Sequence, residues 1–473
     1  MRDAVLSSLR AVFNGRLLTD SADTAPFLTD YRRRWTGRAL AVAEPSTSKD
    51  VAAIVRWCAE HDVPIVPQGG NTGLSGGSVP DDSGKAVVLS LRRLDRIRSV
   101  DPVNHTITLE AGVTLLRAQE AARGAACLLP LSLAAEGSCT IGGNLATNAG
   151  GVQVLRFGNA RELCLGLEVI MASGECWSSL RGLRKNNSGY DIRDLLVGSE
   201  GTLGIITAAV LKLYPMPAAE IAALVAIPSP AAAIALLGLA QQGLGPSLTA
   251  FELFSEECLG LVLKHMPNAR APMPNRSPWY ALLEVSDADS ESHARGVIEV
   301  LLERAIASAY VTDAVVSFSG AQFEALWSFR ERISDALGAE GPTIKHDISL
   351  PISFISDFIS STGQLLAREY PEVLILVFGH LGDGNLHYNI SPKSINESRE
   401  AVAAFLALEG PINRVVHDAV TAHDGSISAE HGLGVLRRVE IMRYKAPVEV
   451  ELMHRVKAAF DPRGLMNPGK ALG

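Results

Sequence analysis

The sequence predicts an α+β chain of more than one domain, on three observations. Its 473 residues are 47% hydrophobic and 20% charged, which is ample apolar material for more than one core. Between about residues 41 and 210, helix-like and strand-like pieces alternate, with glycine-rich turns at the changes. From Pro215 the composition shifts to alanine- and leucine-rich helices broken by apolar strands, which places a domain boundary near residue 215. The segment from about residue 427 returns to glycine-rich loops and the turn Asn467-Pro468-Gly469-Lys470, so it is expected to pack back on the first domain. The expected organisation is residues 1–215, 216–426 and 427–473.

Each element has a local cause. Thr47-Ser48-Lys49-Asp50 is a helix-capping sequence, and the helix it starts is expected to run through His61. Residues 63–66, 86–91 and 105–109 read as short apolar strands, and 114–123 as a second helix. The most apolar stretch, 221–239, is interrupted by Pro228-Ser229-Pro230 and is mostly alanine. It therefore predicts a strand, a turn and a buried helix, and no transmembrane segment is expected. Residues 280–285 and 373–378 are further strands.

Composition excludes several classes. The 42 glycines and 24 prolines carry no period, which excludes a collagen-like chain. Six cysteines without a C-x-x-C pair read as reduced core thiols of a cytoplasmic protein, and residues 1–13 show no secretory signal pattern. With 43 basic against 51 acidic residues the net charge is −8, so no general positive field draws nucleic acid.

Three loops, at 67–77, 137–151 and 198–204, concentrate glycine with Asn, Ser and Thr. Glycine lets successive backbone N–H groups converge and lets a bulky anion approach, so three such loops beside apolar strands point to a large phosphate-bearing cofactor. Neither G-x-G-x-x-G nor G-x-x-x-x-G-K-[ST] occurs, which excludes a Rossmann turn and a P-loop. Gly73-Leu74-Ser75-Gly76-Gly77 fits a hydrolase nucleophile elbow in letters, but its polar flanks lack the strand and helix that an elbow requires.

A second signal lies at Gly379-His380-Leu381-Gly382-Asp383-Gly384-Asn385-Leu386-His387-Tyr388-Asn389. If Gly382–Asn385 form the turn of a hairpin, His380 faces His387 across the strands and Asn389 shares their face, a spacing that suits two ligands of one divalent metal. The glycine-wrapped pair Glu430-His431 offers an acidic third ligand and an adjoining base. Arg330 and Lys345 are isolated cations beside apolar residues, and arginine can grip a carboxylate through two parallel hydrogen bonds.

These loops, together with Lys185-Asn-Asn-Ser-Gly-Tyr190-Asp191, resemble the FAD-binding domain of the vanillyl-alcohol oxidase and p-cresol methylhydroxylase flavoprotein family. The resemblance covers roughly residues 30–472 and runs through the D-2-hydroxyacid dehydrogenase branch, nearest the group that oxidises D-2-hydroxyglutarate. It implies a two-subdomain FAD-binding domain, an α+β substrate (cap) domain and a C-terminal helical segment packed on the FAD domain. FAD is then expected on Gly69, Gly70, Asn71, Thr72 and Gly73 through backbone amides, along Ser138, Thr140, Gly142, Asn144 and Asn148, and at Glu200, Gly201, Gly204, Ile205, Ile206 and Asn467. No histidine lies between Pro67 and Pro80, so the flavin is expected without a covalent link.

The resemblance further implies Zn2+ or another divalent metal on His380, His387 and Glu430, and His431 as catalytic base. It puts the substrate on Arg330, Ser334, Lys345 and Asn389. Ser334 stands where a threonine is common in the nearest relatives; the hydroxyl is kept. The expected reaction is metal-assisted oxidation of D-2-hydroxyglutarate, or of a close D-2-hydroxyacid such as D-malate, by hydride transfer to flavin. A D-lactate or glycolate dehydrogenase would share every one of these features, and a zinc hydrolase would leave the glycine loops unexplained. An electron-transfer flavoprotein or a quinone is the expected acceptor, and a homodimer the expected assembly.

Overall fold

The computed structural model describes residues 2–267, 269–394 and 398–472, and the chain divides into two compact units. The first comprises Met1–Gly150, Gly158–Met216 and Glu430–Gly473; the second comprises Gly151–Phe157 and Pro217–Ala429.

Two sheets organise the first unit. One has four strands in the order Gly15–Leu18, Ala41–Pro45, Val87–Ser90, Ile65–Gln68, parallel except for its first pair. The other has five antiparallel strands in the order Ile97–Asp101, Thr106–Glu110, Ile205–Lys212, Cys164–Ile170, Cys176–Ser178. The helix Ser48–Glu60 starts where the sequence predicts: Thr47 Oγ1 accepts from the Asp50 N–H at 3.1 Å and donates to the Asp50 carboxylate at 2.6 Å. Its buried Val51, Ile54, Val55 and Cys58 fall at helical spacing on one face, packed in a core with Val87, Leu89 and Ile205. Each such side chain contributes about 1.5–3 kcal/mol. The C-terminal segment lies along the strand Ile65–Gln68, where the Ile65 N–H donates to Leu465 and the Asn467 N–H to Ile65, both at 2.8 Å. That contact sets the tail beside the first glycine loop.

The second unit is built on one antiparallel sheet of seven strands: Asp313–Val316, Ala219–Ile227, Trp279–Asp287, Leu248–Ser255, Val373–Gly379, Asn385–Pro392 and Ile344–Ser349, in that order. The apolar stretch at 221–239 resolves as expected into the strand Ala219–Ile227 and the helix Pro230–Leu244, capped by Ser229. One sheet face carries Leu224, Phe254, Tyr280, Leu282, Leu376 and Phe378, covered by side chains of the helices Glu256–His265, Gly320–Glu331 and Ile333–Glu340. Residues 151–157 join this unit through Gln153, which donates to Glu284 at 3.2 Å, and Arg156, which donates to the Ser286 carbonyl at 3.4 Å.

Two expectations are corrected. Five cysteines are buried, but Cys176 is exposed, because its strand Cys176–Ser178 forms the edge of the five-stranded sheet. The hairpin register also differs: Phe378, not His380, stands opposite His387. The chain turns early, through a 3₁₀ turn at Leu381–Asp383 in which the Asp383 N–H donates to His380 and the Gly384 N–H to Leu381, with Gly384 at φ +85°. Leu381 is drawn fully into the interior instead of extending the strand. Residues two apart on a strand share a face, so His380 is still diagonal to His387, with ring centroids 5.7 Å apart.

Among the described residues no helix is long and apolar enough to cross a membrane.

Candidate active site

In the first unit the glycine loops close on one another. A Cβ added at Gly69 would lie 2.3 Å from Thr140 Oγ1, and one at Gly70 would lie 2.0 Å from the Ser138 carbonyl oxygen. Only bare backbone lets the two loops approach this closely. Arg92 holds the first loop from below, donating to the Gly69 and Gly70 carbonyls at 3.1 and 3.0 Å. The result is a cleft lined by Gly69, Gly70, Asn71, Thr72, Gly73, Thr140, Gly142, Asn144, Glu200, Gly201, Gly204, Ile205 and Ile206 among others.

Thr140 caps the short helix Ile141–Ala146 in position only. Its hydroxyl makes no capping bond and is buried without a hydrogen-bond partner among the described residues. A buried hydroxyl of this kind on a glycine-lined wall fits a cofactor rich in hydrogen-bonding groups.

Three expected cofactor residues do not line the cleft. Ser138 is exposed and serves through its carbonyl under Gly70; Asn148 accepts from the Arg161 N–H at 3.0 Å; Asn467 donates to the Gly77 and Glu200 carbonyls at 2.9 and 2.8 Å. They shape the loops that make the wall.

His431 does line the cleft. Its loop is fixed by two residues from the glycine loops. The Glu200 carboxylate accepts from the N–H groups of Leu433 and Gly434 at 2.8 and 2.9 Å, and Ser75 Oγ donates to the His431 and Gly432 carbonyls at 3.1 and 3.2 Å. Burial pushes the Glu200 carboxyl above the ordinary carboxylate range, and its two amide hydrogen bonds pull the other way. Glu430 lies over Gly150, where an added Cβ would sit 2.7 Å from its Oε1. Sequence reasoning passed over Ser75 after rejecting it as a nucleophile.

The second unit gathers the other expected residues on one sheet face. Across the strands, Phe378 pairs with His387, which pairs with Asp347, while Leu376 pairs with Asn389, which pairs with Lys345. His387 Nδ1 stands 3.9 Å from Asp347 Oδ1, and Asn385 donates to that same oxygen at 3.0 Å. Arg330 is buried on the helix Gly320–Glu331, whereas Ser334 is exposed on the next helix.

The residue that sequence reasoning missed is Glu252, fully buried on the strand Leu248–Ser255. Its Oε1 lies 2.7 Å from His380 Nδ1, and its Oε2 accepts from Arg330 Nε at 2.7 Å. Burial opposes its charge, but electrostatic attraction and hydrogen bonds from His380 and Arg330 outweigh that and hold its carboxyl below the usual range. A lone carboxylate in the apolar run Leu248-Thr-Ala-Phe-Glu252-Leu-Phe was the available signal.

His380 and His387 belong to the second unit, and Glu430 and His431 to the first. Two histidines and a carboxylate are a donor set that suits zinc. With a carboxylate acceptor at Nδ1, the proton of a neutral His380 sits on Nδ1 and its lone pair on Nε2.

A cleft of facing glycine loops suits a large phosphate-bearing cofactor, and the family matches identify the class as FAD-dependent oxidoreductase. Residues 39–179 match the FAD binding domain family and residues 216–471 match the family described as FAD linked oxidases, C-terminal domain. The chain belongs to the FAD-linked oxidase family and binds FAD. It is 40% identical over 468 residues to D-2-hydroxyglutarate dehydrogenase of Xanthomonas citri pv. viticola, covering 98% of this chain and 96% of that one. It is 37% identical to the mitochondrial D-2-hydroxyglutarate dehydrogenase of Bos taurus, covering 99% and 83%. The fold is also that of p-cresol methylhydroxylase solved with substrate bound, with a TM-score of 0.77 at 16% identity over 99% of this chain and 96% of that one.

Proposed function

We propose that the chain oxidises D-2-hydroxyglutarate to the 2-oxoacid with non-covalent FAD, assisted by a divalent metal. The observation that carries the reading is the position of His431 on the wall of the glycine-loop cleft, held there by Ser75 and Glu200. The substrate is supported by the names of relatives that match along almost their whole length.

In this reading His431 takes the substrate's hydroxyl proton at an imidazole nitrogen. Bound FAD would supply the hydride acceptor for the C2 hydrogen, and the protein's share is orientation and electrostatics. His380, His387 and Glu430 would hold the metal, whose chemistry is Lewis-acid polarisation of the hydroxyl and the neighbouring carboxylate. Arg330, Lys345 and Asn389 bind and orient the carboxylates, with Ser334 as an added hydroxyl donor. Reoxidation is assigned to an electron-transfer flavoprotein or a quinone.

A dye-coupled assay tests this. D-2-hydroxyglutarate should yield 2-oxoglutarate, L-2-hydroxyglutarate should not react, and treatment with a chelator should stop turnover while the flavin stays bound. Faster turnover of D-lactate or glycolate would move the assignment to the smaller hydroxyacids, and full activity after complete metal removal would overturn the role of the metal.

A further inference from the structure

Five side chains of the second unit form a closed circuit of contacts. His380 meets the Glu252 carboxylate at 2.7 Å, and the other carboxylate oxygen meets Arg330 Nε at 2.7 Å. The Arg330 guanidinium lies 4.8 Å from the centre of the Phe378 ring, and that ring stands 4.8 Å from the ring of His387. His387 and His380 complete the circuit edge to face at 5.7 Å. Arg330, Phe378 and His380 are nearly buried, and Glu252 has no exposed surface.

We infer that Glu252 is a positioning residue that couples the metal-binding half of the site to the half that grips the substrate carboxylate. The inference rests on the roles of His380 and Arg330 proposed above. An ionised carboxylate can only accept hydrogen bonds, so the proton of neutral His380 sits on Nδ1 and the lone pair on Nε2, the nitrogen that would coordinate a metal. The same carboxylate fixes the guanidinium through Nε, which keeps the Nη groups as a fork for a second carboxylate. The guanidinium also lies over Phe378, the same ring that His387 packs on.

Glutamine cannot replace Glu252 in both roles. With its oxygen toward Arg330, its NH2 must donate to His380 Nδ1, which moves the imidazole proton to Nε2 and removes the ligand lone pair. With its oxygen toward His380, its NH2 faces the Arg330 N–H, and the fork is released.

The experiment uses the FAD-loaded full chain, wild type and Glu252→Gln, each supplied with zinc and titrated with a competing chelator. FAD content and the thermal transition serve as controls on folding. The expected result is a loss of about 10–100-fold in zinc affinity and a KM for D-2-hydroxyglutarate raised about tenfold, with FAD content unchanged. A variant that retains zinc and substrate as the wild type does overturns the inference alone. A wild type that retains no zinc overturns the metal reading and the inference with it.

Should the variant fail to fold, the wild-type protein decides the question. In the metal-free protein labelled with nitrogen-15 histidine, the His380 signals, identified by their loss in His380→Gln, should show the proton on Nδ1. A proton on Nε2 would overturn the inference.

Discussion

Ser75 donates its hydroxyl hydrogen to the backbone carbonyl of His431 at 3.1 Å, across 356 residues of sequence. The bond belongs to a clamp: the Val435 N–H returns to the Ser75 carbonyl at 2.8 Å, and Glu200 holds the next two amides after Gly432. The candidate base therefore sits on a loop tied to two of the glycine loops that shape the cofactor cleft, which links cofactor binding to proton abstraction through backbone geometry.

The clamp makes a prediction that separates two roles for Glu200. Removing its carboxylate unpairs two part-buried amides, for which about 1–3 kcal/mol each is the upper range. If it holds the His431 loop, Glu200→Ala lowers turnover more than tenfold while FAD content stays near that of the wild type. Ser75→Ala, which loses one shared neutral hydrogen bond, lowers it less. Loss of flavin from Glu200→Ala with normal turnover of the remaining holoenzyme would assign Glu200 to the cofactor instead.

Gly70→Ala tests the approach of the two loops. Its Cβ would fall 2.0 Å from the Ser138 carbonyl, so one loop must move, at about 1–3 kcal/mol. FAD affinity is expected to fall roughly ten- to hundredfold, read by fluorescence of released flavin. Gly137→Ala, whose Cβ meets nothing within 4 Å, should leave it unchanged. Equal flavin retention by both variants would count against the cleft as the cofactor site.

His431→Asn should keep FAD and fold normally but reduce flavin at least a hundredfold more slowly with substrate, in line with the loss of a general base. Stopped-flow absorbance measures this directly. Near-normal reduction would remove His431 from the mechanism.

A pH effect is expected away from the site. Burial pushes the Glu284 carboxyl up from 4.5 to about 7, although Thr249 and Gln153 donate to it. Between those values the folded chain holds a proton that the unfolded chain has lost, so stability from this group is full below pH 4.5 and declines as pH rises to about 7. The decline is about 3 kcal/mol. Glu284→Gln should remove it, so its gain in denaturant midpoint over wild type should be larger at pH 8 than at pH 4.5. A gain independent of pH would show that Glu284 titrates normally.

What the sequence disclosed and what it hid follow from the range of the interactions. Thr47, Thr114 and Ser229 start helices through bonds to amides three residues on, so those starts were legible. The glycine loops were legible because bare backbone is a local requirement. The hairpin register was not, since it depends on Leu381 being drawn into the core and on the left-handed Gly384. Glu252 was hidden for the same reason: its partners Arg330 and His380 lie 78 and 128 residues away. Grouping of residues 151–157 with the second unit likewise rests on Gln153 reaching Glu284, a contact that no local pattern announces.

The most direct test of the central claim is an anaerobic visible spectrum of the purified protein before and after D-2-hydroxyglutarate is added. The account predicts a yellow protein whose flavin band is bleached by the D-acid and not by L-2-hydroxyglutarate. A flavin band unchanged by the D-acid, or reduced equally by both enantiomers, would contradict it.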